Sequence, residues 1–289
     1  LRPAHCVVAL ALARDGHAPV AHRTYFICSD GDLMEGVASE AASLAGHLRV
    51  PNLVGFYDDN RITIDGSTTL SFDREDKGAR FEAYGWNVIP AVDGHSPAAI
   101  DAAICAAKEQ GVLANGKPTL ICCKTAIGKG SPNRAGSAKA HGEALGHEEI
   151  KLTREALGWG HEPFVIPEEA YEQWDARHTG LAAETKWVDA FEAYGQAHPE
   201  LALDYLRRVA GDLPKNFAQV AVDAALAAHT QCATVASRKA SQMALESFTQ
   251  ALPELLGGSA DLTGSVFTNT SHTPALRFGT DGASNGGRH

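Results

Sequence analysis

Four short apolar, partly β-branched runs punctuate the first half of the chain, at Tyr25–Cys28, Leu53–Tyr57, Asn87–Ile89 and Thr119–Cys123. Helical spacing of apolar positions fills the gaps. Gly36–Leu48 places Val37, Ala41, Leu44, Ala45 and Leu48 on one face, and Pro97–Gln110 does the same with Ile100, Ala103, Ile104 and Ala107. Strands alternating with helices predict an α/β fold built on a doubly wound parallel sheet. Such sheets bind ligands in the crevice beyond the carboxyl ends of their strands. Chemistry is therefore expected just after Cys28, Tyr57 and Cys123.

After Lys124 a loop runs to about Gly146, carrying five glycines together with Lys129, Arg134, Lys139 and His141. A loop of that length inside a compact domain is usually functional or disordered. From Glu148 to about Thr234 the pattern is helical and Ala-rich, with Pro163, Pro167, Pro199 and Pro214 as punctuation. An amphipathic helix is predicted at Ser237–Gln250, and Leu255–Leu262 reads as a strand leaving into a Gly/Ser loop. The expected organisation is an α/β domain at 1–147, a helical connector at 148–234 and the start of a second α/β domain at 235–289.

Composition narrows the function classes. Among 289 residues, 44% are apolar and 21% charged, an ordinary globular balance. A net charge of −10 argues against non-specific binding to nucleic acid, which needs positive surface. No apolar stretch reaches the ~18 residues of a membrane span. The run Cys6–Ala13 fits a buried helix better than the apolar core of a signal peptide, and the chain opens on Leu1 instead of Met. The six cysteines, Cys6, Cys28, Cys105, Cys122, Cys123 and Cys232, form no Cys-x-x-Cys pair and read as free buried thiols of a reducing, cytoplasmic setting.

Two strand ends carry candidate chemistry. After the first, Ser29-Asp30-Gly31-Asp32 sets a carboxylate and then a glycine, where backbone and ligand can approach closely, before a helix whose free N–H groups favour an anion. Alone, this is an ordinary capped turn. After the second comes Asp58-Asp59-Asn60-Arg61-Ile62. Asn60 lies 30 positions after Asp30, one βα unit later, so both can meet at one sheet edge. The Asp30 carboxylate, the Asn60 amide oxygen and a nearby backbone carbonyl are hard oxygen ligands. They suit Mg²⁺, which takes few protein ligands and completes its octahedron with phosphate and water. No Gly-x-Gly-x-x-Gly follows the first strand, which sets a Rossmann dehydrogenase aside.

Ser29-Asp30-Gly31 with Glu35-Gly36, followed by Asp59-Asn60-Arg61-Ile62 and Asp65-Gly66, resembles the thiamine-diphosphate motif of transketolases. Further segments are similar in the family's order: Phe81–Trp86, Asp93-Gly94-His95, Cys123–Asn133, Leu152–Trp159, Ser237–Ser241 and Leu252–Leu262. The resemblance covers roughly Asp15 to Phe267. It implies the thiamine-diphosphate-binding fold, with the pyrimidine-binding domain beginning near residue 235. It implies that Asp30, Asn60 and the Ile62 carbonyl hold Mg²⁺ or Ca²⁺. Gly31 and Asn60 would contact the diphosphate, Glu35 would face a partner subunit near the cofactor, and His141 would touch both diphosphate and substrate as the catalytic residue. Arg238 and Ser265 would bind the sugar phosphate.

The implied enzyme is a homodimeric transferase of the pentose phosphate pathway that moves a two-carbon ketol unit between sugar phosphates. Alternatives are a dihydroxyacetone synthase or a deoxyxylulose-phosphate synthase on the same scaffold, or a non-catalytic cofactor-binding fragment. The chain departs from the family at Ser29, where glycine is usual, and at Ala144, Gly264 and Val266. The family's upstream cofactor loop would precede Leu1, and its cofactor-protonating glutamate would fall beyond His289.

Overall fold

The computed structural model describes residues 12–14, 16–113, 116–277 and 285–289. They form two compact units. The first runs from His22 to His178; the second holds Thr179–His289 with the described residues before His22. Most of the run Cys6–Ala13, and Cys6 itself, lie outside the described residues.

In the first unit, β1 (Thr24–Ser29), β2 (Leu53–Asp59), β5 (Asn87–Asp93) and β6 (Thr119–Lys124) form one sheet in the order β1-β2-β6-β5. Every pair is parallel. A small antiparallel hairpin, β3 (Ile62–Thr63) with β4 (Gly66–Ser67), stands apart from it. The helices are α1 (Asp30–Met34), α2 (Gly36–His47), α3 (Lys77–Ala83), α4 (Pro97–Gly111), α5 (His147–Ala156) and α6 (Glu168–Trp174). Leu33, Ala42, Ala45 and Phe81 from α1, α2 and α3 pack with Cys28, Tyr57, Trp86, Leu120 and Cys122. Ala103 and Ala107 of α4 pack with Val54, Val92, Ile121 and Cys123. Successive strand residues point to opposite faces, so the two clusters lie on opposite sides of the sheet. The fold is the doubly wound parallel α/β architecture that the hydrophobic pattern predicts.

Three details depart from that pattern. The fourth-sheet-position strand β5 continues past Ile89, through a register shift between Ile89 and Val92, to Asp93. Pro90 is tolerated because β5 is an edge strand. The face expected of α2 is met only in part: Ala45 is buried, but Val37 and Leu44 are exposed, at 63% and 46%, and Ala42 and Gly46 are buried in their place. Small residues win because α2 docks by close backbone approach. A Cβ on Gly46 would lie 1.8 Å from the Tyr84 carbonyl oxygen. Gly46→Ala is therefore expected to cost about 3 kcal/mol, the upper range of core overpacking, measured as a lowered urea midpoint. Thirdly, the thiols are not uniformly buried. Cys28, Cys122 and Cys123 are, but Cys105 and Cys232 are exposed; all five are free.

The long loop after β6 is held by a carboxylate. Glu149 accepts from the Ser131 hydroxyl, from the Asn133 backbone N–H at 2.9 Å and from Asn133 Nδ2 at 2.9 Å. These bonds favour the charged form and hold its carboxyl below the usual range.

The second unit is helical: most of α7 (Arg177–Ala197), then α8 (Pro199–Ala210), α9 (Phe217–Gln231), α10 (Ser237–Ala251) and the short α11 (Thr263–Val266). The helix predicted at Ser237–Gln250 is present. Tyr194 is buried and donates its hydroxyl to the Leu12 carbonyl at 2.9 Å. Arg207 spreads its guanidinium over Asp204 and Glu254, tying α8 to the segment after α10. The strand expected at Leu255–Leu262 does not form. A strand needs a ladder partner for its N–H and C=O groups. No segment of this unit pairs with it in a sheet among the described residues; Gly257 donates one hydrogen bond to the Arg288 carbonyl.

Candidate functional site

Parallel pairing of β1 with β2 sets Ser29 opposite Asp58. The chain then turns into α1 on one strand and into the Asn60–Ile62 turn on the other, so both turns share one edge of the sheet. Ser29 has ordinary extended backbone, and its hydroxyl and N–H both donate to Asp32 Oδ2, at 3.0 and 2.8 Å. A side chain in place of the family's glycine is thus absorbed by a local cap.

Asp30 is fully buried. Tyr57 donates its hydroxyl to Oδ1 at 2.5 Å, and the backbone N–H of Arg61 donates to Oδ2 at 3.2 Å. Lys77 Nζ stands 3.9 Å from Oδ1 and is itself buried. Burial pushes the Tyr57 phenol well above its usual pKa, reinforced by its bond to Asp30 and by the charge of Asp59. Tyr57 is therefore a neutral, permanent donor. Burial likewise pushes the Cys28 thiol up to about 12 and that of Cys122 up to about 11, with neighbouring acidic groups adding to both. Neither supplies a thiolate.

Arg61 adopts a left-handed backbone conformation, φ +64°. This costs a non-glycine residue about 1–2 kcal/mol. It coincides with three bonds: the N–H to Asp30, Nε to Asp59 Oδ1 at 3.0 Å and a terminal nitrogen to Asp73 Oδ1 at 3.0 Å. The Asn60 side chain donates from Nδ2 to Asp58 Oδ2 at 3.0 Å and accepts the Ile62 N–H on Oδ1 at 2.9 Å. Ile62 then enters the small hairpin opposite Ser67.

Asp59 is buried and bonded to Lys124 Nζ as well as Arg61. Burial opposes its ionisation, but the two cations outweigh that and hold its carboxyl below the usual range. Its stabilising contribution is complete above the unfolded carboxyl pKa, about 3.9, and is lost as pH falls through the lowered folded value. Lys124→Met should therefore be less stable than the parent near pH 7, by about 1 kcal/mol once the half-exposed ammonium is discounted for solvent screening. The difference should shrink as pH falls below about 4, as read from urea unfolding at each pH.

The remaining predicted residues fall into two places. Gly31 faces open space: a Cβ built there meets nothing within 4 Å. Glu35 is exposed at the start of α2. His141 is exposed at the end of a 3₁₀ turn, Ala138–Ala140, and its N–H bonds to the Ala138 carbonyl at 2.9 Å. Its neighbour Gly142 lies over the hairpin, since a Cβ there would stand 3.8 Å from Ile64 Cδ1. Asp30, Asn60 and Ile62 are thus brought together, with the His141 segment beside the hairpin that follows them. Arg238 and Ser265 belong to the second unit. There the Arg238 guanidinium lies over the Phe267 ring, 5.5 Å from its centroid, which joins the start of α10 to the segment carrying Ser265.

Sequence reasoning missed Tyr57, Asp58, Lys77, Lys124 and Thr125, which surround the Asp30–Asn60 edge. The Asp58-Asp59 doublet at a strand end and the Lys124-Thr125 pair after the next strand in space were the available signals.

The donors at this edge are oxygens: a buried carboxylate, an amide oxygen and the carbonyls of a tight turn. Each carboxylate or carbonyl oxygen can accept a second partner beyond the one it already has. Among the described residues no group of three or more His, Cys, Asp or Glu is placed to hold a metal. A cation here would therefore draw the rest of its shell from phosphate and water, as Mg²⁺ does. With the open space at Gly31, the residues present fit a metal–diphosphate pair.

Residues 3–214 match the family described as transketolase, thiamine diphosphate binding domain. The chain is 51% identical over 263 residues to a transketolase of Vibrio parahaemolyticus, covering 91% of this chain and 39% of the relative. It is 52% identical over 265 residues to one of Aliivibrio fischeri, with the same coverage. Among solved structures it superimposes on a mutant transketolase of Pichia stipitis with a TM-score of 0.81 at 37% identity, covering 93% of this chain and 39% of the other. A Pichia stipitis transketolase in complex with sedoheptulose 7-phosphate gives a TM-score of 0.80 at 36% identity, covering 93% of this chain and 40% of the other. The chain thus spans about two fifths of the length of the relatives it matches.

Proposed function

The chain belongs to the transketolase family, and from that premise we propose that its Asp30–Asn60 edge holds the diphosphate of thiamine diphosphate through a divalent cation. The observation that carries this reading is the buried Asp30 carboxylate, set beside the Asn60–Ile62 turn with open space at Gly31. Asp30, the Asn60 amide oxygen and the Ile62 carbonyl would be the ligands of Mg²⁺ or Ca²⁺. Gly31 and Asn60 would meet the diphosphate.

In the complete protein the reaction would be transfer of a two-carbon ketol unit from a ketose phosphate to an aldose phosphate. The cofactor would supply the nucleophilic carbon and the electron sink. This chain's residues would position it. His141 would move a proton at the substrate hydroxyls and bond the diphosphate, while Arg238 and Ser265 would bind the sugar phosphate, for which the planar fork of arginine is suited. Glu35 would face a second copy of the protein. Met34 and Val37, exposed on either side of it in sequence, supply apolar surface for such a homodimer. Residues 1–147 would be the diphosphate-binding domain, 148–234 the connector and 235–289 the beginning of the pyrimidine-binding domain.

Calorimetric titration of the chain with thiamine diphosphate tests the reading. Binding is expected with Mg²⁺ and not with a chelator in its place. Binding indifferent to the metal, or none by a chain shown to be folded, would overturn it.

A further inference from the structure

The orientation of the Asn60 amide is decided by its neighbours. Exchanging its oxygen and nitrogen by a half-turn of the side chain would swap an acceptor for a donor. On one side stands Asp58 Oδ2, at 3.0 Å from Nδ2. An ionised carboxylate accepts only. On the other stands the backbone N–H of Ile62, 2.9 Å from Oδ1, which donates only. A flipped amide would set oxygen against oxygen and N–H against N–H, losing both bonds. The pair of neighbours therefore leaves one orientation, with Oδ1 on the Ile62 side. That oxygen is the atom a cation at this edge requires; an NH₂ group there would repel it.

Asp58 is pinned in turn. Its other oxygen accepts the hydroxyl of Thr125, the first residue after β6. Thr125 is held by its own N–H on the Asp59 carbonyl at 3.4 Å. The next residue, Ala126, donates its N–H to His95 Nε2 at 2.8 Å. His95 sits in the turn after β5, with its N–H on Asp93 Oδ1 at 2.9 Å. Gly94 donates to the Lys124 carbonyl at 3.0 Å, so close that a Cβ would fall 2.5 Å from Thr125 Cγ2. The Asp93-Gly94-His95 motif thus braces the root of the loop that carries His141. Asp58 connects that brace to Asn60 across the ends of three strands.

We infer that Asp58 is a positioning residue of the cofactor edge: its carboxylate fixes the Asn60 amide with Oδ1 available to the cation and ties that amide to Thr125 at the root of the His141 loop. The inference rests on the cofactor reading above. Asp58 would touch neither metal nor diphosphate and would act through Asn60.

Asp58→Asn tests it, because it keeps size and shape but can place an NH₂ group where an acceptor stood. Affinity for thiamine diphosphate in the presence of Mg²⁺ is expected to fall by about ten- to a hundredfold, the usual consequence of losing a partner that orients a metal ligand. The Mg²⁺ concentration needed for half-saturation should rise in parallel, while the thermal midpoint moves little. Thr125→Val, which removes only the hydroxyl that pins Asp58, should give a smaller fall in the same direction. A second readout needs no cofactor: the side-chain NH₂ resonances of Asn60, assigned by NMR in the free chain, should shift in Asp58→Asn as their carboxylate acceptor is replaced by a neutral amide.

Asp30→Ala run alongside separates the two ideas. If the parent chain binds and Asp30→Ala does not, but a folded Asp58→Asn binds with unchanged affinity and metal requirement, the positioning role is overturned. Unmoved Asn60 resonances would overturn it as well. If Asp30→Ala binds like the parent, the cofactor reading itself falls, and the inference with it.

Discussion

Asp30→Ala should abolish metal-dependent binding of thiamine diphosphate and also destabilise the cofactor-free chain. Both effects come from one buried carboxylate. As the only anionic side chain proposed to hold the cation, its loss should weaken binding by more than about a hundredfold, since even partners that merely orient a ligand reach that scale. In the free chain the Arg61 N–H loses its acceptor, the Tyr57 hydroxyl is left with only Asp59 Oδ1 at 3.4 Å, and buried Lys77 keeps the Phe72 carbonyl but loses the carboxylate beside it. Each unsatisfied buried group costs about 1–3 kcal/mol, so a total near 3 kcal/mol is expected. Asp30→Asn should separate the effects. It keeps the shape and one acceptor oxygen, so it should recover part of the stability in urea melts and none of the calorimetric binding. Full binding by either variant would remove Asp30 from the metal site.

Trp86→Ala should cost about 4 kcal/mol of stability, the range for removing a large aromatic side chain from a core. Trp86 stands almost edge-on to both Phe81 and Phe26, with ring centroids 5.1 and 6.2 Å away. Its indole N–H donates to the Ala42 carbonyl at 2.8 Å and so fastens α2 to the sheet. The loss should appear as an earlier urea midpoint. Trp86→Phe should lose less, because it keeps ring packing and forfeits only the indole bond and part of the volume. Equal losses for the two would mean that the N–H, not the packed volume, dominates.

The strands were legible because β-branched and apolar runs of the right length recur between helical patterns, and the central strands β2 and β6 are largely buried on both faces. The ends were less so. Pro90 ends an apolar run in sequence, yet β5 resumes after a bulge because its edge position asks nothing of the missing N–H. The face of α2 misled for another reason. Hydrophobicity ranks Val37 and Leu44 above Ala42 and Gly46, but the distance of closest approach between α2 and the Tyr84 carbonyl decides which stripe can dock. At Leu255–Leu262 the local pattern suited a strand, while ladder pairing depends on a neighbour that local pattern does not contain.

At the candidate site, spacing alone placed Asp30 and Asn60 one βα unit apart, and the order of similar segments named the family. Those are properties of linear order: residue type, period and sequence distance. What the tertiary structure decided is everything that depends on neighbours from other strands. It sets Tyr57 and Lys77 on Asp30, Lys124 on Asp59, and Thr125 on Asp58. It also brings β6 between β2 and β5, so that loops remote in sequence share one edge. Hydrogen bonds and charge pairing act over a few ångströms in space, whatever the separation along the chain. Their partners are therefore chosen by strand order and register, which the chain's local pattern leaves open.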